Sequence, residues 1–181
     1  MENFAPCTDY VKCNAMEFNA RMKLKAQLRP VFHCVNMLLR TVDLMHYRDA
    51  KELKRCLMEV HPGYATFAGN NNMTYDGMEI LWNVLSQLHN DKQDPIFGWA
   101  LITILSGPFT GGELYLPNLG LHVRMQPGDI IFLRDRVLCH VTLDWEGGQH
   151  VSIPIFTHTS TWRLMKQLND RLKPDESDGE D

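Results

Sequence analysis

The sequence lacks most of the features that would take it out of the ordinary globular class. No apolar run approaches the about 18 residues of a membrane span. No basic and then apolar stretch follows Met1, so a secretory leader is not expected. The five cysteines (Cys7, Cys13, Cys34, Cys56, Cys139) are odd in number, scattered, and form no Cys-x-x-Cys pair. That spacing argues against a zinc knuckle or a disulfide framework and predicts a reducing, intracellular setting. No internal repeat is visible. Positive charge is also in short supply: 18 Lys and Arg face 22 Asp and Glu, for a net charge of −4. A basic nucleic-acid module is normally more positive than this, so any nucleic-acid contact has to use local charge, mainly in the first third. What remains is 181 residues, 44% apolar and 22% charged, enough for one domain with a real core.

The surplus of positive charge that does exist lies in the first third, which reads as helical. Segment 14–29 is rich in helix formers, and Pro30 is expected to end it. On such a helix Arg21, Lys25 and Arg29 form one basic stripe. The stripe reads as a phosphate track or as a solvated face, and the acidic remainder of the chain favours the solvated face. Segment 31–46 predicts a buried helix. Asp49 and Glu52 are spaced as a capping box for a third helix that stops at His61-Pro62-Gly63. Residues 62–76, with Gly63, Gly69 and Asn70-Asn71-Asn72, predict a long exposed loop.

Beyond residue 78 the pattern changes. Short β-like runs at 97–105, 113–117, 121–125, 129–133, 137–143 and 150–156 are punctuated by Gly-Pro, Gly-Gly and Pro-Gly pairs. That spacing predicts an antiparallel sandwich or jelly roll. Within it, His89 and Asp91 are separated by one residue, which on a strand puts both on one face. An imidazole and a carboxylate can then serve one ion, and His140, 51 residues on, is the natural third donor. Two histidines and one carboxylate leave adjacent coordination positions open, as a non-haem Fe(II) site needs in order to take a cosubstrate and O₂ together. Taken alone, His-x-Asp is a weak signal, and the pair also reads as polar residues in the charged loop HNDKQDP. His122 and His158 have no matching partner in the sequence.

Several motifs carry a family resemblance. They are His-x-Asp (89–91), Asp-Pro-x-x-Gly-Trp (94–99), Phe-Thr-Gly-Gly-Glu-Leu (109–114), Leu-Pro-x-Leu-Gly (116–120), Pro-Gly-Asp-Ile-Ile-Phe-Leu-Arg (127–134), His140, and Phe-Thr-His-x-Ser-x-Trp (156–162). Over residues 80–162 the chain resembles the Fe(II)/2-oxoglutarate dioxygenases of the TET/JBP type, and more narrowly their fungal, transposon-associated branch. The resemblance implies a mainly β fold with N-terminal helices: a double-stranded β-helix, that is, a cupin-like jelly roll. It implies Fe(II) held by His89, Asp91 and His140, with 2-oxoglutarate and O₂ as cosubstrates. DNA is the implied partner, with the methyl of a pyrimidine as the implied target, and the nucleus is the implied location.

The pattern departs from the family at one point. The resemblance implies an Arg about ten residues after the distal His, salt-bridged to the far carboxylate of 2-oxoglutarate. This chain has His150 there. An imidazole is shorter than a guanidinium and only partly charged near neutrality. His150 is therefore the expected cosubstrate contact. The resemblance also implies that Asn83, shortly before His-x-Asp, lines the site, although it reads equally as a turn or strand-edge Asn. Arg134 and Arg136 are candidates for a replacement charge but read better as surface arginines at a hairpin. Two alternatives accompany this departure: a non-catalytic copy of the fold, and an iron oxygenase with a different organic acid. The expected organisation is a helical support region and loop at 1–76, a β-helix core at 77–162, and a C-terminal segment at 163–181 with an acidic, disordered tail.

Overall fold

The computed structural model describes residues 14–60, 64–65 and 73–172, with side chains of the last helix described as far as Lys166. Cys7, Cys13, most of the expected glycine- and asparagine-rich loop, and the acidic tail lie outside the described residues. The chain divides into two compact units, Met1–Thr74 and Tyr75–Asp181.

The first unit holds three helices: α1 (Ala15–Gln27), α2 (Arg29–Val42) and α3 (Leu44–Val60). The Asn14 side chain caps α1, accepting from the backbone N–H groups of Met16 and Glu17 at 3.0 Å each. The expected basic stripe is broken. α1 ends at Gln27, so Arg29 opens the next helix, where Pro30 occupies the first turn and Phe32, Val35, Asn36 and Leu39 form the buried face. The expected capping box at Asp49 and Glu52 is also displaced. Helix α3 begins at Leu44, and Asp43 caps it by accepting from the His46 N–H at 2.9 Å. Glu52 instead pairs with Arg55 on the exposed side of the helix.

The second unit is an antiparallel jelly roll closed by one helix. Its strands are β1 (Gly77–Met78), β2 (Leu81–Trp82), β3 (Ala100–Ile104), β4 (Thr110–Gly111), β5 (Leu114–Leu116), β6 (Leu121–Val123), β7 (Ile130–Leu133), β8 (Val141–Thr142), β9 (Trp145–Glu146) and β10 (Val151–Phe156). One sheet runs β1-β10-β3-β7, with β2 also on β10; the other runs β6-β5-β8, and β4 pairs with β9. Neighbours so far apart in sequence are the crossovers of a jelly roll. Ile104 and Leu133 from the first sheet meet Leu114 and Leu116 from the second, with Met125, in one buried cluster between them. Each of the six β-like runs of the sequence contains one of these strands. Helix α4 (Thr159–Leu172) follows β10 and has no counterpart among the expected elements.

Two local features explain how the sequence tolerates this ladder. Pro154 lies inside β10, where a missing N–H would break a central strand. Its carbonyl accepts from the Glu79 N–H at 3.1 Å, so its nitrogen faces the same way, toward the gap between β1 and β2. The proline thus sits where the edge is already interrupted. Gly112 has φ +66, and a Cβ there would lie 3.1 Å from the His150 ring and 3.2 Å from Phe109. The Gly-Gly pair lets the backbone turn hard against those rings.

Candidate metal centre

His89 and His140 come from segments 51 residues apart, yet they form a two-residue antiparallel bridge. The His89 N–H donates to the His140 carbonyl at 3.1 Å, and the His140 N–H donates to the His89 carbonyl at 2.9 Å. Asp91 follows in an irregular segment rather than on a strand, and its N–H donates to the Asp135 carbonyl at 3.1 Å. The expected strand at 137–143 is shorter than its apolar run and begins only after His140.

The side chains converge. His89 Nε2 lies 3.6 Å from Asp91 Oδ1, and His140 Nε2 lies 3.6 Å from Asp91 Oδ2. That is too long for a hydrogen bond and suits donors sharing one ion. One ligand atom from each of the three residues lies within 4.8 Å of the other two. The outer contacts prepare the rings for this. His89 Nδ1 is 2.7 Å from the Gln87 carbonyl, and His140 Nδ1 is 3.1 Å from the Leu138 carbonyl. A carbonyl can only accept, so each Nδ1 carries the proton and each Nε2 presents a lone pair. Burial lowers the pKa of His140 and keeps that lone pair free. The donor set fits a divalent ion of the iron class with coordination positions to spare.

The three residues line a cavity of about 460 Å³ that opens between the two sheets. Its inner walls are Ala100 and Ile102 of β3, Leu133 of β7, Ser152 of β10, Leu114 of β5 and Thr142 of β8. Near the metal side stand two acids that the sequence reading missed. Asp94 and Asp135 are each only 4% exposed. His158 Nδ1 meets Asp94 Oδ1 at 2.8 Å, and this bond raises the pKa of His158. Burial, with Asp94 and Asp91 beside it, pushes Asp135 up to about 9. His158 thus has a partner after all, 64 residues away; no local pattern marks such a pair.

The three residues expected to contact the cosubstrate are not among those that line the cavity, although Ser152, two residues from His150 along the chain, is. Asn83 is a backbone clasp in the left-handed region (φ 54), accepting from the His150 N–H at 2.8 Å. The Arg134 guanidinium lies over the Trp99 ring, 3.9 Å from its centroid, and donates to the Phe97 and Gly98 carbonyls. His150 is packed between Phe109 and Trp145, each ring centroid 4.8 Å away. Burial lowers its pKa, and its Nε2 has no hydrogen-bond partner among the described residues.

No protein-family model and no curated protein matches the chain. Among solved structures it is similar to NgTET1 in complex with 5mC DNA, at 20% identity and a TM-score of 0.45; the match covers 58% of this chain and 46% of that one. The chain therefore spans under half of NgTET1. It is also similar to the collagen prolyl hydroxylase of Paramecium bursaria Chlorella virus 1, solved with 2OG. There the identity is 16% and the TM-score 0.36, over 55% of this chain and 70% of that one. The jelly roll itself is defined by the strand order described above. Among the described residues, no helix is long and apolar enough to cross a membrane.

Proposed function

We propose that the protein is a non-haem iron oxygenase that uses a 2-oxo acid as cosubstrate. The observation that carries this reading is the convergence of two imidazole nitrogens and one carboxylate at a cavity between two sheets. When bound, the metal supplies positions for O₂ and the 2-oxo acid, and with them the oxidising chemistry. The chain's own residues do the rest. The Gln87 and Leu138 carbonyls fix the ring tautomers, and apolar side chains of the two sheets line the inner walls. The His158–Asp94 pair offers a polar contact for the substrate on the metal side.

The sequence motifs further support a TET/JBP-type enzyme of the fungal branch, oxidising the methyl of a pyrimidine in DNA. A base in a duplex would have to be flipped out to reach a cavity of this kind. A second reading, a copy of the fold that holds metal without turnover, is favoured by the presence of His150, an imidazole, at the position where the resemblance implies an Arg.

Anaerobic calorimetric titration with Mn(II), an inert stand-in for Fe(II), tests the metal site. Wild type is expected to bind one ion, His140→Ala to lose more than about a hundredfold in affinity, and His122→Ala to be unchanged. Equal binding by wild type and His140→Ala removes the proposal.

A further inference from the structure

The inner half of the cavity carries no fixed positive charge. Ala100, Ile102, Leu114 and Leu133 are hydrocarbon; Ser152 and Thr142 add only hydroxyls. Besides the three histidines on the metal side, the one basic side chain among the described lining residues is Lys92, which is exposed. Leu114 and Leu133 also belong to the buried cluster with Ile104, Leu116 and Met125, so these walls are backed by hydrocarbon. His150 is not among the lining residues, and its ring lies between those of Phe109 and Trp145.

Resting on the oxygenase reading above, we propose that the inner chamber selects a 2-oxo acid with a neutral, apolar tail in preference to 2-oxoglutarate. Both acids present the same 2-oxo carboxylate to the metal; they differ in what they push into the chamber. A branched alkyl tail meets Ile102, Leu114 and Leu133 and leaves no charge unanswered. A second carboxylate there gives up its water for two hydroxyls and apolar walls, which opposes binding strongly. The Ser152 and Thr142 hydroxyls suit a small polar group near the tail's root, and neither carries charge.

The test is binding to the Mn(II)-loaded full chain under anaerobic conditions, comparing 4-methyl-2-oxopentanoate with 2-oxoglutarate by calorimetry. The alkyl acid is expected to bind at least about tenfold more tightly. Ile102→Arg, which plants a guanidinium in the chamber wall, is expected to reverse that order, with Mn(II) affinity confirming an intact site. Tighter binding of 2-oxoglutarate by wild type overturns the inference while leaving the oxygenase reading standing. Binding of Mn(II) with neither acid overturns both. Failure to bind Mn(II) removes the metal site itself and the inference with it.

Discussion

His140 and His150 are both nearly sealed from solvent, at 5% and 3% exposure, and burial lowers the pKa of each. Their surroundings differ entirely. His140 has one ring nitrogen on a carbonyl and the other facing a carboxylate 3.6 Å away, with a second imidazole beside it. His150 has aromatic rings on two sides and an Nε2 with no described partner. Burial favours the neutral form of both rings, which suits a metal ligand and means that an anion contact by His150 would have to draw a proton onto the ring. The same physical shift therefore has opposite meanings at the two positions.

The sharpest way to break this comparison is to exchange the fates of the two sites. Asp91→Ala is expected to lose more than about a hundredfold in Mn(II) affinity, whereas His150→Phe is expected to retain it within about twofold. Calorimetry on both variants decides it; comparable losses would place His150 in the metal site's support. Smaller is the stability effect. Removing the orphaned Nε2 in His150→Phe is expected to stabilise the fold by about 1 kcal/mol, read from the urea midpoint.

The pH dependence sharpens the contrast further. His150 has a native pKa below its ordinary 6.5, so below that pH the unfolded chain binds the extra proton. Its contribution is complete above 6.5 and is lost as pH falls. His158 is the reverse: Asp94 raises its pKa, so its contribution is complete below 6.5 and lost as pH rises through the raised value. Urea midpoints of wild type between about pH 7.5 and about pH 5.5 should fall more steeply than those of His150→Phe, and His158→Asn should fall more steeply than wild type. Parallel curves for all three would mean that neither ring titrates as described.

The smallest expected effect concerns DNA. If α1 follows a phosphate backbone, reversing Arg21 and Lys25 should flatten the salt dependence of binding by about 0.9 for each phosphate no longer neutralised, on every sequence alike. Arg29, on a separate helix, should behave independently of that pair. An unchanged salt slope assigns α1 a solvated face.

How far the sequence could be read depends on the range of the forces involved. The five strands longer than two residues (β3, β5, β6, β7 and β10), and the two-residue β8, lie within apolar runs whose ends Gly and Pro mark. The other two-residue strands, β1, β2, β4 and β9, are too short to show any period. Helix α4 carries a signal in Trp162, Met165 and Leu168 at helical spacing, hidden because the run follows a strand motif directly. His89, Asp91 and His140 were legible as residue types in an order, although only the fold shows that main-chain bonds bring the two histidines together. The burial of Asp94 and Asp135 was not legible, even though Asp94 opens the Asp-Pro-x-x-Gly-Trp motif: an acid in a charged segment looks the same whether tertiary packing buries it or not. His150 shows the reverse limit, since its place along the chain is plain while the direction of its ring is set by Phe109 and Trp145.

The reciprocal main-chain bonds between His89 and His140 have a thermodynamic consequence. The separation of these two donors is set by peptide geometry, before any ion arrives and whatever side chain either position carries. Metal uptake then orders little beyond two ring torsions and one carboxylate, so the entropy lost by the chain on binding is small. Binding should leave the heat capacity nearly unchanged and proceed at a rate set by shedding water from the ion. The metal-free site would be a rigid template, ready to be refilled after each loss of its ion.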